Sequence, residues 1–178
     1  MTDKTWDKTW GKIKWYSAYD SDVAKKVADL IEKGADINLQ DNEMGYTPLI
    51  WAASRGKNDT AKKLIEYGAD VNKTDKAGRT ALMHAVINRE EIMTALLLRN
   101  GAFVNARDFA GFTSAMYAAE NDDTEIFKLL MDEKIDLSIE NNFGANVWHS
   151  SHPGSEIRRI IRRSVLLPYV SSEKVNHR

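Results

Sequence analysis

The sequence predicts an all-α solenoid of stacked helix–turn–helix units joined by short β-hairpin loops. Three observations carry that expectation. Glycines recur at Gly45, Gly78, Gly111 and Gly144 at a single constant interval. A second series, Gly34, Gly68 and Gly101, follows Gly11, Gly45 and Gly78 at another constant interval. A short helix pattern follows each glycine of the first series, and another precedes each glycine of the second. The chain therefore repeats one supersecondary unit. Neither helix of such a unit can bury its apolar face alone, so the units must stack.

The elements follow in order. Residues 1–10 hold Asp3-Lys4-Thr5-Trp6 and then Asp7-Lys8-Thr9-Trp10; with Trp15, three of the five tryptophans crowd the N-terminal end. They read as a Trp-bearing arm whose indoles either cap the first repeat, which fits better, or reach a partner. Residues 11–44 form a first, capping unit. The step from Gly11 to Gly45 is one longer than that from Gly45 to Gly78, so an extra residue falls between Asn38 and Met44. Full units follow at 45–77, 78–110 and 111–143. In these, Thr47, Thr80 and Thr113 are placed as helix N-caps, and Pro48 stands at a first helical position where its missing N–H costs nothing.

The second helices close on Leu30-Ile31, Leu64-Ile65, Leu97-Leu98 and Leu130-Met131, and Gly34, Gly68 and Gly101 fall where a helix end wants positive φ. Lys134 stands at that place in the fourth unit. A side chain in the left-handed region costs roughly 1 kcal/mol, so this turn is expected to be the least well formed. Ala35-Asp36-Ile37-Asn38, Ala69-Asp70-Val71-Asn72 and Ala102-Phe103-Val104-Asn105 lead through loops to the next glycine. Residues 144–167 make a fifth unit, the C-terminal cap, and 168–178 a tail, with Pro168 ending the last helix.

The chain resembles the ankyrin-repeat family. Gly45-Tyr46-Thr47-Pro48-Leu49-Ile50-Trp51-Ala52-Ala53 is similar to the family's G-x-T-P-L-H-x-A-A, and Leu64-Ile65 with Gly68-Ala69-Asp70-Val71-Asn72 to its L-L-x-x-G-A-D-V-N. Residues 78–110 match well and 111–143 less closely, and the likeness covers roughly 11 to 165. The ends depart from the pattern: Ile13-Lys14-Trp15-Tyr16 replaces Thr-Pro-Leu-His, and only His149 keeps its place in Asn146-Val147-Trp148-His149-Ser150-Ser151. Degenerate ends suit caps whose outer faces meet water.

Composition narrows the chemistry. The formal charge is -1 and there is no cysteine, which excludes disulfides, thiolate metal sites and a cysteine nucleophile. No phosphate-binding loop, dinucleotide fingerprint, nucleophile elbow or zinc-protease motif is present, so no enzyme activity, cofactor or metal is expected. His149 and His152, three apart, lack a third ligand and read as a satisfied helix-face pair. The first residues are polar and no apolar run is long enough to cross a membrane. The compartment stays open: cytoplasmic by default, periplasmic or secreted if a signal peptide was removed.

The resemblance implies binding of another protein through a concave face made by the hairpin tips and the exposed side of the first helices. Carried onto this chain, those positions are Met44, Tyr46, Ser54 and Arg55, then Lys76, Arg79, Ile87 and Asn88. Arg107, Phe109, Phe112, Glu120 and Asn121 follow, with Asn142 and Phe143 beyond. Aromatics interleaved with arginines are the residue types of interface hot spots; the competing reading has some of them sealing the hairpins instead. Trp51, His84 and Tyr117, one per unit, form a column that reads as inter-repeat contact in preference to a binding stripe.

A single-domain stack with no catalytic part acts by occupying something, so an inhibitor or protective regulator of an enzyme is the specific expectation, monomeric when free. The alternative is an adaptor. Residues 155–178 carry +4, leaving -5 for the rest, and Arg158-Arg159-Ile160-Ile161-Arg162-Arg163 could touch nucleic acid or an anionic membrane. A capping helix, isoleucines inward, fits that pattern better, and nucleic acid is the less favoured partner.

Overall fold

A computed structural model describes Asp29, Glu32 and residues 34–173. The Trp-bearing arm, the first helix of unit one, the Leu30-Ile31 pair and the last residues of the tail lie outside the described residues. Within them run eight helices: α1 Pro48–Ser54, α2 Asn58–Glu66, α3 Ala81–Ile87, α4 Glu91–Arg99, α5 Ser114–Glu120, α6 Thr124–Met131, α7 Val147–Ser150 and α8 Glu156–Glu173. The only β pairing among the described residues is an isolated bridge between Thr74 and Thr80.

The helices pair and stack as the repeat requires. α1 packs on α2, α3 on α4 and α5 on α6; one row runs α1–α3–α5–α7 and the other α2–α4–α6–α8. The threonines cap as expected: Thr47 Oγ1 accepts from Ile50 N at 3.2 Å, Thr80 from Met83 N at 3.3 Å and Thr113 from Met116 N at 3.4 Å. Ala52, Ala53, Ala85, Ala118 and Ala119 are wholly buried, which lets the first row approach closely. Leu49, Leu64, Leu82, Met93, Leu97, Met116, Phe127, Leu130 and Ile157 fill the space between the rows. The core is thus a strip fed by each of units two to five, each large side chain contributing about 1.5–3 kcal/mol.

One refinement of the sequence expectation and three departures from it have physical reasons. The extra residue of the first junction sits in the hairpin itself: Asp41 N reaches Tyr46 O, five residues on, where Asp75 N reaches Arg79 O, four on. Lys134 does not adopt positive φ. The turn escapes the steric cost by giving up the bond that Ala69 N makes to Leu64 O at 2.9 Å; Ile135 N reaches Glu133 O at 2.8 Å instead. α7 ends at Ser150, so His152 lies beyond the helix, and His149 completes a capping box with Asn146. Pro168 does not end α8, which continues to Glu173. An internal proline removes only one backbone bond and crowds one carbonyl, and the remaining turns carry the helix past it.

The sequence reading missed a third left-handed series. Gly56, Arg89 and Asp122, at φ +61°, +60° and +51°, turn the chain between the two helices of each unit. Only the first is a glycine, which hid the period. The loops of units one to three also reach the next unit through an asparagine, where unit four has Ser138 bonded to Asp136 of its own loop. Asn72 Nδ2 donates to Gly101 O at 3.0 Å while its Oδ1 accepts from Phe103 N at 2.7 Å. Asn105 repeats both bonds, to Lys134 O at 2.9 Å and from Asp136 N at 2.8 Å. Asn38 Oδ1 accepts from Asp70 N at 2.8 Å.

Candidate functional site

The hairpin tips owe their shape to one acidic or amide residue at each base. Asp75 Oδ1 accepts from Ala77 N at 2.8 Å and Arg79 N at 2.9 Å; Asp108 Oδ1 accepts from Ala110 N and Phe112 N, both at 2.9 Å. Asn141 Oδ1 accepts from Phe143 N at 2.9 Å and Ala145 N at 3.0 Å. Asp41 Oδ1 gathers Met44 N at 2.7 Å and Gly45 N at 2.9 Å. Adjacent tips are joined by single backbone bonds: Lys76 N to Met44 O at 3.0 Å, Phe109 N to Ala77 O at 3.0 Å and Asn142 N to Ala110 O at 2.9 Å. The tips therefore form one row.

The second carboxylate oxygens tie that row to the first helices. His84 Nε2 lies 2.8 Å from Asp75 Oδ2, and Tyr117 Oη donates to Asp108 Oδ2 at 2.6 Å. Because a carboxylate only accepts, Nε2 of His84 carries the proton. Burial holds the His84 pKa below the ordinary histidine value, although Asp75 pulls the other way. Tyr117 is pushed up to about 12 by burial and then by its bond to Asp108. The column thus has a mixed role: Trp51 and His84 are buried and Tyr117 half-buried, and two of the three brace hairpins.

The expected contact residues fall into two groups. Met44, Phe109 and Phe143 stand free on the tips, 55%, 73% and 80% exposed. Arg55 is exposed with its guanidinium 6.0 Å from the Trp51 ring centroid. Glu120 is exposed at the end of α5, where partial desolvation raises its pKa. Ser54, by contrast, is half-buried and bonds through Oγ to Trp51 O at 2.9 Å.

Several other side chains are spent inside the molecule. Lys76 Nζ donates to Asn42 O at 2.5 Å, and Arg107 donates to Gly111 O at 3.4 Å and Glu140 O at 3.0 Å. Asn88 Nδ2 donates to His84 O at 2.8 Å; Asn121 Nδ2 reaches Val86 O at 3.2 Å and Ile87 O at 3.3 Å, across a junction. Asn142 Nδ2 holds Phe109 O at 2.9 Å. Ile87 is half-buried.

Between the groups lies a half-buried floor. Tyr46 meets His84 edge-on with centroids 4.9 Å apart, and Phe112 stacks on Tyr117 at 5.3 Å. The Arg79 guanidinium lies 5.8 Å from the Tyr117 centroid, its Nε 3.7 Å from Asp108 Oδ2 of the next unit. No sequence signal separated tip from tether, because both use polar or aromatic residues at the same repeat positions. The bracing aspartates were legible only as turn formers.

The basic end is also partly committed. Arg158 and Arg162 approach the Trp148 ring at 4.6 and 5.2 Å, and Arg158 donates to Ser151 Oγ at 3.1 Å and Trp148 O at 3.2 Å. Arg159 pairs with Glu156 at 2.9 Å. Ile157 and Ile161 are buried. Among the described residues no group of His, Asp or Glu could hold a metal ion, and no helix is long and apolar enough to cross a membrane.

Two helix rows and a braced line of tips define a helical-repeat scaffold. The family model described as Ankyrin repeats (3 copies) matches residues 15–108 and 77–141, and the chain belongs to that family. It is similar to the Neurogenic locus Notch protein of Drosophila melanogaster, 39% identical over 67 residues, 38% of this chain and 2% of that protein. Palmitoyltransferase AKR1 of Lachancea kluyveri is 42% identical over 67 residues, 38% of this chain and 9% of its own length. Ankyrin repeat and SOCS box protein 6 of Mus musculus is 33% identical over 85 residues, 45% of this chain and 20% of its own. The chain thus spans only a small part of these curated relatives. Ankyrin repeats are in general a non-enzymatic protein–protein interaction module.

Proposed function

We propose that the partner sits across the row of tips, with Met44, Phe109 and Phe143 as apolar contacts, Arg55 and Glu120 as polar ones, and Tyr46, Arg79 and Phe112 as the floor. The observation that carries the reading is the set of three large apolar side chains, each more than half exposed, on tips fixed in one row by backbone bonds. Ordering such side chains costs binding free energy, and a preformed row keeps that cost small. An interface of standard size, roughly 1,200–2,000 Å² in total, suits it. Lys76, Asn88, Arg107 and Asn121 serve chiefly by shaping the surface.

A protein of this architecture acts by occupying its partner. Inhibition or protective regulation of an enzyme is the mode we favour, since a rigid face can cover an active site without chemistry of its own. The alternative, an adaptor whose basic last helix meets nucleic acid or anionic lipid, is weakened by the internal duties of Arg158 and Arg159. Capture with the wild-type chain beside Met44→Ser/Phe109→Ser/Phe143→Ser tests the proposal. The triple variant should keep its circular dichroism and lose its partner. A folded variant that retains the same partner places the interface elsewhere.

A further inference from the structure

We propose that Asn100–Gly101 is a latent deamidation site, gated by the helix end that holds it. The dipeptide is the only Asn-Gly in the sequence. A following glycine puts no side chain in the way of ring closure. In that reaction the Gly101 amide nitrogen gives up its proton and attacks Asn100 Cγ; a C–N bond forms, the Cγ–Nδ2 bond breaks, and Nδ2 takes up a proton to leave as ammonia. Water then opens the succinimide to aspartate or isoaspartate, so no oxidant or reductant is involved.

The structure opposes each part of that step. Asn100 caps α4 with φ -103° and ψ +22°, which places its side chain and Gly101 N on opposite sides of the Cα–C bond. Gly101 N donates to Leu98 O at 3.0 Å, and Ala102 N to Leu97 O at 3.1 Å. The departing group is also held, since Asn100 Nδ2 donates to Leu96 O at 2.7 Å. Across the junction, Asn72 Nδ2 fixes Gly101 O at 3.0 Å. Both residues are solvent-exposed, so water reaches them and geometry is what holds the reaction back.

Reaction therefore proceeds from a locally opened cap, and its rate reports how often the cap opens. The isoaspartate product adds a methylene to the main chain between α4 and its closing turn. That shift breaks the registry of the Asn72 clamp and loosens the adjoining units.

The test is peptide mapping of the whole chain after incubation at mildly alkaline pH, native and in urea, with isoaspartate read by enzymatic methylation. In urea Asn100 should react first of all the asparagines. The native chain should react at least about tenfold more slowly. Asn72→Ala should raise the native rate severalfold and leave the urea rate unchanged. Equal native and urea rates, another asparagine reacting first in urea, or an unchanged native rate in a folded Asn72→Ala variant would each overturn the proposal. If Asn72→Ala does not fold, the comparison of native with urea in the wild type still decides.

Discussion

Asp75 and Asp108 each divide their two oxygens between a hairpin and a helix, and the helix partner sets what a proton can do. His84 is neutral in its buried bond to Asp75, with a pKa below the ordinary histidine value of 6.5. As pH falls through 6.5 the unfolded chain takes up a proton that the folded chain refuses, so stability falls until the folded pKa is reached. Denaturant midpoints measured across that window should decline on acidification, and His84→Gln should flatten the slope. A second expectation concerns a hydroxyl. Ser114 is 1% exposed and its Oγ has no hydrogen-bond partner. Replacing a buried group of this kind removes a desolvation cost, so Ser114→Ala should stabilise by about 1 kcal/mol in urea unfolding.

Turns decide stability at the scale of the element. Gly78 has φ +79°, and a Cβ there would lie 2.9 Å from the backbone nitrogen of Phe109 on the next tip. Gly78→Ala meets both a left-handed strain and a neighbouring main chain that cannot yield. A loss of about 2 kcal/mol in thermal or chemical unfolding is expected. The turn between helices behaves oppositely. Asp122 holds φ +51°, so Asp122→Gly should gain about 0.5 kcal/mol by relieving strain, less than for a bulkier residue because aspartate tolerates this region.

These two turns also show what could be read from residues alone. The Gly78 series announced itself because Gly45, Gly78 and Gly111 combine positive φ with a next tip too close for a Cβ, while Gly144 keeps the positive φ alone. The Gly56, Arg89 and Asp122 series stayed hidden because its turn tolerates side chains at a modest cost; the neighbour facing Gly56 is the flexible Glu90 side chain, which can yield. Lys134 was legible as an anomaly, but not its resolution, since relaxing a turn depends on which neighbouring bonds can be surrendered. Of the candidate site, exposure on the tips was legible and the side-chain bonds were not: Arg107 and Phe109 look alike as surface candidates, and only the Glu140 and Gly111 carbonyls single out Arg107 as a tether.

Across the described units stability is shared between neighbours, because each packs chiefly on the next and the core is a strip. Such a stack unfolds as coupled units whose interface terms add. Leu97 belongs to α4, between α2 and α6, and is wholly buried. Leu97→Ala should cost about 2–5 kcal/mol and, by weakening two junctions at once, broaden or split the denaturation curve where a terminal substitution would not. Hydrogen exchange followed unit by unit would register the difference.

The single bonds from tip to tip have a consequence for the dimensions of whatever binds. They fix the pitch of the row at the spacing of stacked helices, about 8–10 Å a step. From Met44 to Phe143 is three such steps, so these outermost exposed side chains lie about 24–30 Å apart. A ligand engaging both must therefore be long. Extended chain gains about 3.3 Å per residue, so about eight residues are needed; a helix lying along the row needs about five turns. A small molecule or a tight loop can reach one step of the row, and only a partner with a straight element of that length can reach all of it.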